Sequence, residues 1–314
     1  MKKLLLLSLI ATTVVANASF ELLMVADKGT KSVHRYDSVR GTYFGNFGSG
    51  YLTDVQGMAI DTSTGDAFVH DTGSRVHRFN YNTGNYEDSF NVSSLLDLQT
   101  SRAGGFLGRV STSIVRSYNN NGGITATFNA PAGFTYGSST QIASGFVYII
   151  ENAGATISLG IYKSNGTRID GINYNATIVD YLSATGSNAA SMFQLPALTH
   201  FSEFNKFDPT TGGLVYASFG DVQINTASGV NSPKASVLGH GTMTFTCGLN
   251  PANLGQGLIV RAEPDTGLIK GVFGNGQLVN PVEMGIVVAP EPTTWIAMLG
   301  GLALLAKRRR SRKN

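Results

Sequence analysis

Residues 33–48 read VHRYDSVRGTYFGNFG, and this stretch decides the fold because the chain repeats it. A second copy, VHRFNYNTGNYEDSFN, occupies residues 76–91, and a looser one, VRSYNNNGGITATFNA, occupies residues 115–130. Three further copies begin at Leu159, Phe204 and Ile259. Repetition at a regular interval is typical of architectures built from one supersecondary unit, so it is the feature to interpret first.

A recurring glycine sets the interval of the repeat. It follows the aromatic or Ala position by five residues in five of the six copies and comes one residue earlier, at Gly166, in the other. Successive intervals run from 39 to 55 residues, close to the roughly 40 to 50 residues of a four-stranded propeller blade. Glycine suits hairpin turns because it adopts positive φ without steric cost. The five glycines are Gly41, Gly84, Gly123, Gly212 and Gly267.

One unit can be divided into four strands, predicted at Val55–Ile60, Ala67–Val69, Val76–Phe79 and Tyr86–Phe90. A sheet of this kind cannot bury both faces alone, so copies must pack face to face, and a closed ring protects their edges. We therefore predict an all-β fold, a β-propeller with six four-stranded blades. A β-sandwich and an open repeat array are the alternatives.

The two ends of the repeat region complement each other. The chain opens its first copy at Leu22 without the inner strand that the second copy has, and residues 282–288 supply a matching segment at the other end. We predict that Val282 to Val288 forms the inner strand of the blade that begins at Leu22, which would remove an open edge.

The repeats resemble NHL-type six-bladed propellers, whose blades carry an Ala-Asp-x-Gly turn and an Asp-x-x-Thr-Gly turn. Residues 26–29 (ADKG) and 71–73 (DTG) match the first turn, and residues 208–212 (DPTTG) and 263–267 (EPDTG) match or nearly match the second. The resemblance implies six blades. It is weak over residues 91–114 and 222–256, which carry parts of the third and sixth copies.

The first 18 residues predict a secretory signal peptide. Lys2 and Lys3 precede the apolar run Leu4–Val15, and Ala16-Asn17-Ala18 fits the small-x-small site of signal peptidase. The mature chain should begin at Ser19, with the propeller domain over residues 19–289.

Residues 290–314 predict a sorting signal. Pro290, Glu291 and Pro292 precede an apolar stretch, Trp295–Ala306, and then a basic membrane stop of Lys307, Arg308, Arg309 and Arg310. Twelve apolar residues fall short of the ~20 that span a bilayer, so a transient anchor fits better than a permanent one. The tail resembles a PEP-CTERM domain. That resemblance implies processing by an exosortase, passage through the inner membrane and a final location at the cell surface or outside the cell, among exopolysaccharide.

Charge argues against nucleic acid as a partner. Of the 23 Lys and Arg residues eight lie in the two terminal segments, whereas of the 20 acidic residues only Glu291 does. The body between them is therefore net acidic, and the basic isoelectric point reflects the targeting segments. The single cysteine, Cys247, excludes an internal disulfide framework, and its apolar alternation with Met243 and Phe245 predicts a buried residue.

No group of residues in the sequence matches a catalytic, cofactor-binding or metal-binding motif, so we predict no catalytic, cofactor or metal residue. Asp27, Asp71 and Asp208 stand at turn entrances, where a carboxylate caps backbone N–H groups. Propeller lactonases and lyases, which the fold resembles, hold a metal in the central channel with inward Glu, Asn, Asp or His. Asp54, Asp61 and Asn280 lie near strand ends and are the candidates for such a position. The histidines, which lack a convergent ligand set, are His34, His70, His77, His200 and His240.

We expect a non-catalytic surface or matrix propeller that binds polysaccharide or protein through loops of one face. The alternatives are a metal-dependent hydrolase or lyase in the channel and a scaffold with an apolar outer patch. Recurring aromatics should be mostly core, while exposed tyrosines on loops would be able to stack on sugar rings. These aromatics are Tyr36, Phe44, Phe47, Tyr51, Phe79 and Tyr81.

Overall fold

The computed structural model describes residues 19–101, 104–141, 146–153, 156–174, 179–184, 192–196, 204–207, 214–219, 231–238, 244–250, 253–262 and 269–290. Strands dominate this part of the chain, and the one helical element is the short 3₁₀ turn Thr72–Ser74. No helix within the described ranges has both the length and the apolar character needed to cross a bilayer.

The described strands form six four-stranded antiparallel sheets, named here in chain order. Sheet 1 is β24 (Pro281–Pro290), β1 (Ser19–Asp27), β2 (Ser32–Asp37) and β3 (Tyr43–Phe47). Sheet 2 is β4 (Gly57–Asp61), β5 (Asp66–Asp71), β6 (Arg75–Asn80) and β7 (Tyr86–Asn91). Sheet 3 is β8 (Asp97–Thr100), β9 (Phe106–Ser111), β10 (Ile114–Tyr118) and β11 (Ile124–Asn129). Sheet 4 is β12 (Thr135–Gln141), β13 (Phe146–Ala153), β14 (Thr156–Lys163) and β15 (Arg168–Tyr174). Sheet 5 is β16 (Val179–Ala184), β17 (Met192–Pro196), β18 (Phe204–Phe207) and β19 (Leu214–Phe219). Sheet 6 is β20 (Asn231–Leu238), β21 (Thr244–Asn250), β22 (Asn253–Ala262) and β23 (Ile269–Phe273).

The first strand of each sheet lies against the first strand of the next. β24 contacts β4, β4 contacts β8, and the contacts continue through β12, β16 and β20 back to β24. The first strands therefore surround a common centre. Because the strands of each sheet are antiparallel, the end of the first strand, the start of the second, the end of the third and the start of the fourth lie at one end of the sheet. We call this end the upper face and the opposite end the lower face.

The predicted closing strand is confirmed. β24 pairs antiparallel with β1, so that Leu23 faces Ile286 and Val25 faces Met284. Met284 is 2% exposed, which places the C-terminal strand in the core. The poorly matching segments also contain strands, since β8 and β9 fall within residues 91–114 and β20 and β21 fall within residues 222–256.

The recurring glycines join neighbouring sheets. Gly84, in the upper turn of sheet 2, has φ +79°, and a Cβ there would lie 2.8 Å from the Cβ of Phe47 on the outer strand of sheet 1. Gly41 makes the equivalent approach to Phe273 of sheet 6. In the third copy the left-handed residue is Gly122 and not the predicted Gly123, because the turn after Tyr118 is one residue shorter.

The recurring aromatics divide into two groups. Tyr36, Phe47 and Phe79 are buried, as predicted, and so is Tyr81. Phe44 and Tyr51 are 46% and 51% exposed. Tyr51 stacks on Tyr86 with 4.2 Å between ring centroids.

Candidate functional site

A cleft of about 650 Å³ opens on the upper face, where the turns of sheets 2, 3 and 4 come together. No charged side chain occurs among the described residues that line it. Hydroxyl and amide groups predominate, which can both donate and accept hydrogen bonds. The lining residues are Ser63, Gly104, Gly105, Ser117, Tyr118, Asn119, Asn120, Thr125, Ser164 and Asn165.

A buried carboxylate fixes one wall of the cleft. Asp61, at the end of β4, accepts hydrogen bonds of 2.8 Å each from the backbone N–H of Ser63, the backbone N–H of Gly105 and the Nδ2 of Asn120. Burial alone would raise the pKa of Asp61, but these hydrogen bonds and one from the Ser63 hydroxyl outweigh it and lower the pKa. The carboxylate therefore holds segments of sheets 2 and 3 in place beneath the surface.

Two asparagines in the turns of sheets 3 and 4 shape those turns and still present a donor. Asn119 accepts from the backbone N–H of Asn121 at 3.0 Å and of Gly123 at 2.9 Å through its Oδ1. Asn165 accepts in the same way from Thr167 at 3.1 Å. No described residue accepts a hydrogen bond from the Nδ2 of Asn119 or Asn165. Each amide thus has an oxygen committed to its turn and a nitrogen available to a ligand.

The centre of the ring holds a second polar cluster. Gln99 on β8 donates through Nε2 to Oε2 of Glu283 on β24 at 3.1 Å and to Oδ2 of Asp97 at 3.2 Å. The Gln99 amide nitrogen is therefore directed at both carboxylates. Within the described ranges no group of three or more His, Cys, Asp and Glu residues is positioned to hold a metal ion.

The two described aspartates that were predicted to cap turns differ. Asp27 caps its turn, whereas Asp71 makes no side-chain capping hydrogen bond to the turn Thr72–Ser74, so the prediction is wrong there. Both also hold the incoming chain. Asp27 accepts from the backbone N–H of Thr30 at 2.8 Å, as predicted, and from that of Val279 at 2.7 Å. Asp71 accepts from the backbone N–H of Thr53 at 3.0 Å. Each carboxylate thus fastens the loop that enters its own sheet on the lower face. Asp208 lies outside the described residues.

The three residues considered for a channel metal do not converge. Asp54 forms an ion pair with Lys28 at 2.9 Å, and the carbonyl of Asn280 accepts from the backbone N–H of Lys28 at 2.9 Å. Both therefore lie on the lower face. Asp61 lies at the upper end of β4, in the cleft wall.

The described histidines are buried, and each contacts different residues. His34 contacts the Thr30 hydroxyl through Nε2 at 2.8 Å, and His77 lies 3.6 Å from a carboxylate oxygen of Asp71. Burial lowers the pKa of His34, His70 and His77, against the opposing effect of nearby carboxylates. His200 and His240 lie outside the described residues.

Most of the predicted processing residues also fall outside the described ranges: Ala16, Ala18, Glu291, Pro292, Lys307, Arg308, Arg309 and Arg310. Pro290 is the last residue of β24 and pairs with Ser19, the first residue of β1. Cys247 lies on β21, but its side chain is outside the described set.

A buried ion pair lies in sheet 4, at residues for which the sequence predicted no role. Glu151, fully buried, accepts from the Ser158 hydroxyl at 2.8 Å, from Arg168 Nη2 at 2.8 Å and from the Tyr162 hydroxyl. Burial, followed by the hydrogen bond to Glu151, raises the pKa of Tyr162 well above its ordinary value. All the donors point at one carboxylate, so the cluster stabilises the sheet and offers no open position for a ligand.

Comparison with known proteins supports the fold. A chain of the nidogen/laminin complex superposes with a TM-score of 0.64 at 12% identity, covering 85% of this chain and 98% of that one. A protein of unknown function from Bacteroides caccae gives a TM-score of 0.61 at 10% identity, covering 86% and 99%. No family model matches the sequence, and no curated protein does. The body has a β-propeller-like fold.

Proposed function

We propose that this chain is an exported, exosortase-sorted propeller of the cell surface or extracellular matrix that binds polysaccharide without catalysing a reaction. The observation that carries the proposal is the cleft on the upper face, lined by hydroxyl and amide groups with no charged side chain among its described lining residues. We take the six sheets to be six blades of one ring.

The chemistry of the cleft suits an uncharged sugar. Its volume of about 650 Å³ lies within the range of roughly 300 to 1,000 Å³ that small-molecule sites occupy. A sugar ring carries several hydroxyl groups, each a donor and an acceptor, and serine, threonine and asparagine side chains complement both roles. Such a ligand would leave few polar groups unpaired, which is what binding requires.

The two targeting segments would leave the body side by side. Ser19 and Pro290 are paired at the upper end of sheet 1, the same face that carries the cleft. While the tail held the chain in the membrane, this face would be turned toward the bilayer. Removal of the tail by an exosortase would therefore free the binding face, which supports release into a polysaccharide matrix.

The test is a glycan array probed with the purified full chain. Thr125 and Thr127 both lie on β11 with exposed side chains, but only Thr125 lines the cleft. Thr125→Val should weaken binding several-fold because it removes one hydrogen-bonding group at constant shape. Thr127→Val is the matched control and should bind as the unmodified chain does.

Three outcomes would contradict the proposal. The first is an array without any saccharide hit, and the second is equal affinity of the two valine variants. The third is cleavage of the bound saccharide, which would favour the metal-dependent hydrolase or lyase instead.

A further inference from the structure

A repeated arginine ties neighbouring sheets together on the upper face. Arg35, on the third strand of sheet 1, donates from Nη1 to the carbonyl of Asn82 in the turn of sheet 2 at 2.8 Å. Arg78 of sheet 2 donates likewise to the carbonyl of Asn120 in sheet 3 at 3.4 Å. Arg261 of sheet 6 does so to the carbonyl of Ser38 in sheet 1 at 3.3 Å.

Sheet 3 lacks this arginine. In the repeat, VHRY at residue 33 and VHRF at residue 76 correspond to VRSY at residue 115, so that Ser117 takes the position of Arg35 and Arg78. The cross-strand partner is small too, since Arg78 pairs with Asp88 whereas Ser117 pairs with Ala126. The cleft lies at this place, between Ser117 and the turn of sheet 4 that contains Ser164 and Asn165.

The missing side chain explains both the shape and the polarity of the cleft. Where the arginine is present, its guanidinium group fills the gap and donates to the backbone of the next turn. At Ser117 the gap is open and the neighbouring turn lacks that donor. A ligand that enters can supply hydroxyl donors in place of the guanidinium group.

The charge around the position favours an uncharged ligand. Arg78 has acidic partners, with Nη2 bonded to Asp88 at 2.5 Å and Nε lying 3.4 Å from Glu87. The position that faces Ser117 is Ala126, so a cation in the cleft would find no such partner. Asp61, behind the wall, is already satisfied by the donors of the wall.

We propose that replacement of the repeat arginine by Ser117 creates the binding subsite, and that this subsite takes a neutral hydroxyl-rich saccharide unit. This inference rests on the proposed function and adds to it the location and the ligand class. It also accounts for the cleft at the seam between sheets 3 and 4, where Ser117 stands in place of the arginine that bridges three other seams.

The test fills the gap beside Ser117 by substitution in the full chain. Ser117→Arg should restore the tie between sheets, raise the melting temperature by about 1 to 3 °C and weaken binding of neutral oligosaccharides by about tenfold or more. Ser117→Ala is the control, because it keeps the gap open: its melting temperature should stay close to that of the unmodified chain and its affinity should fall far less. The probe is a panel of neutral and uronic-acid oligosaccharides.

The outcomes separate this inference from the proposed function. If Ser117→Arg binds a neutral saccharide as tightly as the unmodified chain, this inference is overturned while the proposed function stands. Binding of the acidic oligosaccharides alone would overturn the neutral ligand class. Absence of binding to the whole panel by the unmodified chain would overturn the inference together with the proposed function.

Discussion

Gly122, in the upper turn of sheet 3, lies directly against the ring of Phe90 on the outer strand of sheet 2. A Cβ at position 122 would stand 2.5 Å from Cδ2 of Phe90, and the residue has φ +75°. Gly84 approaches Phe47 in the same way. The repeated glycine therefore meets two demands, a left-handed turn and contact between sheets.

The two demands can be separated by substitution. Gly122→Ala should cost about 1 to 2 kcal/mol for the left-handed backbone and about 1 to 3 kcal/mol more for the clash with Phe90. Gly73 is the matched control, with φ +74° and nothing within 4 Å of a Cβ, so Gly73→Ala should show only the backbone cost. The measurement is the free energy of unfolding in denaturant. Equal losses in the two variants would show that the contact with Phe90 does not limit position 122.

The closing strand should carry a large share of the stability. Truncation before Pro281 removes β24, including the buried Met284, Ile286 and Val287, each worth ~1.5 to 3 kcal/mol if fully covered. Truncation after Pro290 keeps the strand and is the control. Thermal unfolding should show a large loss for the shorter chain only. If both chains melt within a degree or two of each other, β24 does not close the ring as its pairing indicates.

Much of the fold could be predicted because it is local and repeated. The interval between the recurring glycines predicted the repeat units. The strand-like segment at residues 282–288, which complements the missing inner strand of the first copy, predicted the closing strand. Gly122 was misassigned because two adjacent glycines fit the pattern and only the geometry of the turn distinguishes them. The fastening roles of Asp27 and Asp71 could not be predicted, because each carboxylate bonds the loop that enters the first strand of its own sheet, and the sequence does not show that contact.

The cleft could not be predicted from the sequence. Its lining comes from three sheets, so residues as distant in sequence as Ser63 and Asn165 meet only through the packing of the ring. The sequence carries one indication of the cleft, because in the repeat alignment Ser117 occupies the position of Arg35 and Arg78. Its meaning depends on the contact that those arginines make with the next turn, and the sequence does not show that contact.

Stability should depend on pH through the buried histidines. The pKa of His70 is lowered to about 4, from about 6.5 in the unfolded chain, chiefly by burial. Between these values the unfolded state binds more protons, so stability is complete above pH 6.5 and falls as the pH drops toward 4. For His70 the loss is at most about 3 kcal/mol. His34 and His77, whose pKa values are also lowered, add to it.

The measurement is the free energy of unfolding at several pH values from about 7 to 4. His70→Asn, which carries no charge at any pH, should reduce the slope over this range even if it lowers stability overall. An unchanged slope would show that His70 is not protonated on unfolding and would contradict its burial as a neutral ring.

Removal of divalent metals should leave the melting temperature unchanged. The Gln99 amide donates to both Glu283 and Asp97 at the centre of the ring, and within the described ranges no group of three or more His, Cys, Asp and Glu residues is placed to hold a metal ion. A specifically bound metal would stabilise the folded state by mass action. A drop of several degrees in chelator, reversed by one particular divalent ion, would refute this account of the centre and favour the enzyme alternative.

The central claim, that the upper-face cleft binds a neutral saccharide and does not transform it, is tested most directly by calorimetric titration. A neutral oligosaccharide selected on the array is titrated into the full chain with chelator present, and the saccharide is recovered afterwards for mass spectrometry. The account predicts saturable binding with a stoichiometry of about one, unchanged by chelator, and recovery of the saccharide intact. Absence of saturable binding, or recovery of a shortened or eliminated product, would contradict it.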